Sequence, residues 1–97
     1  MIIKLSPILM YTDFNVSVAG DVLTINGDEL DFSPLPNGAS LPKAAIANDW
    51  ILGDVVRDAE GVLHVSLMFP HGPDASEAAR FPEPITITED GPVELPV

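Results

Sequence analysis

The chain has 97 residues, 46% hydrophobic and 20% charged, with no cysteine; it is enough for one domain that folds on packing alone, and it excludes a disulfide framework or a thiolate zinc site. Fifteen Asp and Glu against four Lys and Arg give a net charge of −11, a field that repels phosphate and argues against direct binding to nucleic acid or an anionic membrane. A mean hydropathy of +0.27 beside that charge means the uncharged remainder is apolar enough to leave hydrophobic surface outside a small core.

The first seven residues, Met1-Ile2-Ile3-Lys4-Leu5-Ser6-Pro7, lack the basic region, apolar stretch and small-residue cleavage site of a signal peptide. No run approaches the ~18 apolar residues of a membrane span. The expectation is a cytoplasmic protein.

Period-two alternation then begins. Phe14, Val16 and Val18 alternate with Asn15 and Ser17, Leu23 and Ile25 flank Thr24, and Leu30 and Phe32 alternate with Glu29 and Asp31. The dipeptides between these runs, Gly20-Asp21 and Asn26-Gly27, are favoured two-residue hairpin loops because they accept positive φ. Parity checks the reading: such loops set Val18 opposite Leu23, Val16 opposite Ile25 and Leu23 opposite Leu30, all on one face. A three-stranded meander results.

Phe32-Ser33-Pro34-Leu35-Pro36-Asn37-Gly38 is a turn-rich linker, and Pro42 to Asn48 predicts one or two helical turns. A second hairpin runs from Trp50 to Phe69 around Asp58-Ala59-Glu60-Gly61, a sequence that suits a type I turn with a Gly bulge as well as a tighter loop. Its return strand is clean, with Leu63, Val65, Leu67 and Phe69 on one side and His64 and Ser66 on the other. The outgoing strand is apolar on both, Trp50, Leu52 and Val56 against Ile51 and Val55, so one set is expected to pack on the core and the other to meet a neighbour. The interaction surface is therefore expected there, for a protein partner or a second copy. Asp74 with Glu77 has the form of a capping box leading into Ala78-Ala79-Arg80. A last strand, Ile85 to Thr88, precedes an acidic Pro-rich tail, about residues 89–97, expected to be loosely ordered.

Chemistry-bearing residues are few. His64 projects from the polar face of a strand. His71 sits in Phe69-Pro70-His71-Gly72-Pro73-Asp74, where His71 and Asp74 are the weak candidates for a metal, although His-x-x-Asp matches no strong ligand spacing. Asp28, Glu29 and Asp31 cluster after a turn, but alternation divides them between two faces, as on a solvated sheet edge. There is no Gly-rich phosphate loop, Gly-x-Ser-x-Gly elbow, His-Glu-x-x-His or EF-hand spacing. Neither a cofactor nor a catalytic set is expected.

Three stretches carry a resemblance: Met1 to Pro7; Ala19-Gly20-Asp21-Val22-Leu23-Thr24-Ile25-Asn26-Gly27 continuing to Phe32-Ser33-Pro34-Leu35-Pro36; and Pro70-His71-Gly72-Pro73 with Arg80-Phe81-Pro82-Glu83-Pro84-Ile85. Together they resemble small uncharacterised proteins of tailed bacteriophages and prophages encoded among tail genes. The resemblance implies a virion component or assembly helper made in a bacterial cytoplasm, and supplies no catalytic residue. The expected fold over residues 1–97 is all-β, six or seven strands in hairpins forming a small sandwich or curled sheet with one or two short helical turns. The expected function is a non-enzymatic protein–protein interaction module in phage morphogenesis, ahead of a small acidic cation- or ligand-binding module and, last, a hydrolase built on scattered carboxylates.

Overall fold

The computed structural model describes residues 1–74 and 76–95. Among these are nine strands: β1 (Ile2–Leu9), β2 (Val16–Ala19), β3 (Val22–Ile25), β4 (Asp28–Asp31), β5 (Ser40–Leu41), β6 (Val55–Arg57), β7 (Leu63–His71), β8 (Ile85–Thr86) and β9 (Gly91–Pro92). One four-residue helix, α1 (Glu77–Arg80), and a single 3-10 turn at Lys43–Ala45 complete the described elements. The strands form two sheets, ordered β5-β6-β7-β1-β8 and β4-β3-β2-β9, and the fold is all-β.

The meander has the register that parity predicts, Val18↔Leu23, Val16↔Ile25 and Leu23↔Leu30. Gly20 at φ +60° stands alone in the positive region at its turn, whereas Asn26 at +49° and Gly27 at +85° both occupy it. These match the II′ and I′ hairpin turns, whose twist suits the strands they join. Val16, Val18, Leu23 and Ile25 are buried on one face. From the other sheet Ile3, Leu5, Val55, Val65 and Leu67 meet them in a single core, and each aliphatic side chain so buried contributes roughly 1.5–3 kcal/mol.

β1 is the strand that alternation does not announce. It runs parallel to β7, from Ile2↔His64 to Leu9↔His71, and the connection between them carries the whole meander. β5, β9 and β1 account for the strands beyond the six or seven expected. The tail expected to be loosely ordered instead places β9 along β2 and buries Val93, while Pro96 and Val97 lie outside the described residues.

The second hairpin also resolves. Gly61, at φ +90°, donates to the Asp58 carbonyl at 3.0 Å, and Asp58 N–H donates to the Val62 carbonyl at 3.0 Å. This is the type I turn with a Gly bulge. Upstream, Ile51 bridges Leu67 while Val56 pairs with His64, so five residue steps on the outgoing strand face three on the return. The two extra residues bulge out at Gly53-Asp54, where Gly53 takes φ +84°. An even-numbered bulge preserves parity, which keeps Ile51, Val55 and Arg57 all pointing inward.

The capping box is corrected. α1 begins two residues later than Asp74 implies, with Ser76 as its N-cap and the Ser76 hydroxyl accepting from Ala79 N–H at 3.2 Å. Serine there satisfies one of the donors a helix start leaves free.

Candidate interaction site

The distal half of β1 is where the exposed apolar side chains gather. Residues Leu5 to Thr12 contain no charge, yet Ile8 and Met10 are each 37% exposed, Leu9 60% and Tyr11 79%. Side chains alternate along a strand, so Ile8 and Leu9 lie on opposite faces of β1, and Met10 and Tyr11 follow just beyond its end. Leu9 shares the parity of Ile3 and Leu5 but lies beyond the core they fill. The end of β1 and the two residues after it are therefore apolar and partly open, Leu9 and Tyr11 the most.

Its backbone is equally open. Met10 N–H donates to the His71 carbonyl at 3.1 Å, which fixes the phase: even-numbered residues of β1 turn their N–H and C=O toward β7 and odd-numbered ones toward the opposite edge. On that edge β8 pairs only with Ile2 and Ile3, and Pro82 and Pro84 then line a shallow depression with Lys4, Leu5 and Ser6. Further along, Pro7 presents a carbonyl with no N–H beside it, and Leu9 turns its N–H and C=O toward the edge on which β8 pairs only with Ile2 and Ile3. Pro70, opposite Ile8, likewise turns its missing donor away from the β1 ladder. Both prolines sit where the pairing of β1 with β7 loses nothing.

The residues singled out in the second hairpin separate by side. Ile51 and Val55 are fully buried in the core, so neither is available to a partner. Trp50 is half-buried and stacks on Phe14 at a centroid distance of 5.0 Å. Leu52 is half-buried and Val56 is 38% exposed, both on the outer side of the sheet. Gly20, Asp21, Asn26, Gly27 and Gly61 occupy the turns assigned to them.

The titratable candidates do not converge. His71 Nδ1 lies 2.9 Å from the Gly72 carbonyl and Asp74 is exposed; among the described residues no three His, Asp or Glu groups are placed to hold a metal ion. His64 Nε2 meets Asp58 Oδ2 at 3.0 Å, while Asp58 Oδ1 accepts from the N–H groups of Glu60 and Val62. The His64 hydrogen bond, followed by that from Val62, holds the Asp58 carboxyl below its ordinary value. The pair staples the β6–β7 turn. A 490 Å³ depression beside β2 and β9 is lined by uncharged residues, among them Phe14, Thr24, Pro92 and Leu95.

One polar residue escaped the sequence reading. Arg57, only 8% exposed, donates from Nε to the Leu35 carbonyl at 2.6 Å, from Nη1 to Gly61 at 3.0 Å, and from Nη2 to Phe32 at 3.0 Å and to Asp21 Oδ2 at 3.1 Å. Its signal was parity: Arg57 shares the inward face of Val55. With four acceptors around it, this guanidinium is a joint between the sheets and offers nothing to a ligand.

The fold and this edge define an all-β sandwich with an uncovered strand arm. No family model, curated protein or solved structure matches the chain. Among the described residues no helix is long and apolar enough to cross a membrane.

Proposed function

We propose that this chain is a non-enzymatic protein–protein interaction module that docks through the distal half of β1, and that it serves as a virion or tail-assembly component of a tailed bacteriophage or prophage, made in the bacterial cytoplasm. The observation that carries the docking role is the uncharged run Ile8–Tyr11, exposed on both faces and along its edge. Monomeric proteins blunt such edges with charge, bulges or cover; this one leaves apolar side chains beside free backbone groups, the pattern that strand addition uses. The phage setting rests on the sequence resemblance alone.

The test is a pull-down with the full chain from cells carrying the intact gene neighbourhood. Leu9→Asp leaves the core untouched, since Leu9 is mostly exposed. Wild type and Val56→Asp should recover the same partner in fixed proportion, and Leu9→Asp should lose it. Equal recovery by Leu9→Asp would remove β1 as the docking surface.

A further inference from the structure

We propose that Asn26 is a site of self-modification, at which the side-chain amide is lost as ammonia through a succinimide formed with Gly27. An Asn-Gly step reacts when the glycine backbone nitrogen attacks the asparagine Cγ. The N–Cγ bond forms, the Cγ–Nδ2 bond breaks with release of ammonia, and water then opens the ring to aspartate or isoaspartate. No oxidant or enzyme is needed, and glycine puts no side chain in the way. The chain has two such steps, Asn26-Gly27 and Asn37-Gly38, and all four residues are exposed. Access to water therefore does not separate them.

Hydrogen bonding does. Gly38 N–H donates to the carbonyls of Arg57 at 2.8 Å and Asp58 at 3.2 Å, so the nitrogen that would attack Asn37 is held, with its proton, against two acceptors. Gly27 lies outside the strands, in the turn between the paired Ile25 and Asp28, and its N–H makes no hydrogen bond among the described residues. Nothing crowds it, since an added Cβ would meet no atom within 4 Å. At the other reacting group, Asn26 Oδ1 accepts from Asn15 N–H at 2.8 Å. A backbone donor in that place stabilises the negative charge the oxygen gathers as the tetrahedral intermediate forms.

The modification alters a clasp. Asn26 fastens the segment leading from β1 into β2 to the β3–β4 turn: its N–H donates to the Asn15 carbonyl at 2.8 Å, its Oδ1 takes the Asn15 N–H, and its Nδ2 donates to the Asp13 carbonyl at 3.1 Å. Aspartate retains the first two bonds and sets a carboxylate oxygen against the Asp13 carbonyl, adding charge to a chain already at −11. Isoaspartate lengthens the backbone of a two-residue turn whose length fixes the strand register. Either product loosens the clasp.

Incubation of the full chain at mildly alkaline pH, with peptide mapping by tandem mass spectrometry at intervals, tests this in the folded protein and in urea. One hydrogen bond on the attacking nitrogen is worth about tenfold in rate. Folded wild type should therefore convert Asn26 about tenfold faster than Asn37, and in urea, where both nitrogens are free, the two rates should converge. The converted chain, separated by anion exchange on its added charge, should melt below the unconverted one. A folded chain that converts Asn37 as fast as Asn26, or that leaves Asn26 intact while the unfolded chain reacts, overturns the site. An unchanged melting temperature for the separated product overturns the loosening of the clasp.

Discussion

Arg57 in β6 and Asp21 in the β2–β3 turn meet at 3.1 Å although they belong to opposite sheets. Asp21 is 40% exposed on its side chain and Arg57 is 9%, so the guanidinium depends more on the carbonyls of Phe32, Leu35 and Gly61 than on the carboxylate. Replacing it by Met leaves those carbonyls without donors, at a cost of about 2–4 kcal/mol, whereas Asp21→Asn costs about 1 kcal/mol because a half-exposed ion pair is weakened by solvent. Urea unfolding of the two variants checks the asymmetry, and equal losses would place the joint's strength in the ion pair.

Gly27 at φ +85° sits in an open turn where an added Cβ meets no atom within 4 Å. The penalty for substitution is thus conformational. Gly27→Val should lose about 2 kcal/mol, since a β-branched residue is disfavoured at positive φ, while Gly72→Ala, equally uncrowded and without positive φ, should stay within about 0.5 kcal/mol of wild type. Thermal melting reads both.

Asp58 gives the β6–β7 hairpin an acid dependence. Its carboxyl is held low by His64 and by Val62 N–H, so the folded state binds this proton less readily than the unfolded chain does. The resulting stabilisation is present above the ordinary aspartate value near 3.9, and it is lost as pH falls through the lowered folded value. The stability gap between wild type and Asp58→Asn should therefore close on acidification. In His64→Ala, a carboxyl titration followed by NMR should move Asp58 back up; an unmoved titration would contradict the role of His64.

Added calcium, zinc or magnesium should leave the melting temperature unchanged, because His71 and Asp74 gain no third ligand among the described residues. A specific metal at a hundred times its dissociation constant adds ~2.7 kcal/mol, several degrees for a domain of this size, and a rise of that order for one metal would reopen the cation-binding reading.

The register of the meander was legible because three constraints coincide there: alternation, Asn-Gly and Gly-Asp turns, and a single buried face linking Val16, Val18, Leu23 and Ile25; its outer ends were not, since Phe14 and Phe32 fall outside β2 and β4. The β7 strand was legible for the same reason. β1 was not. Its partner lies far along the chain, parallel pairing leaves no turn to read, and the run from Pro7 to Tyr11 is apolar on both faces because only one end of the strand enters the core. The outgoing hairpin strand looked two-sided in sequence because the bulge at Gly53-Asp54 interrupts it; its inner side proved to be Ile51 and Val55, and the more exposed surface proved to lie on β1. A buried arginine announces itself in sequence only through parity with Val55, and that signal is easily set aside for a charged residue.

The docking edge can be read directly at its own amide. Within one chain Met10 N–H is bonded to the His71 carbonyl, whereas Leu9 N–H faces the edge on which β8 pairs only with Ile2 and Ile3. Hydrogen exchange followed by NMR should show Met10 protected throughout and Leu9 passing from fast exchange in the isolated chain to slow exchange in its complex with the partner recovered by pull-down. A Leu9 amide that is already protected in the isolated chain, or that exchanges as fast in the complex, would contradict the account of β1 as a docking edge.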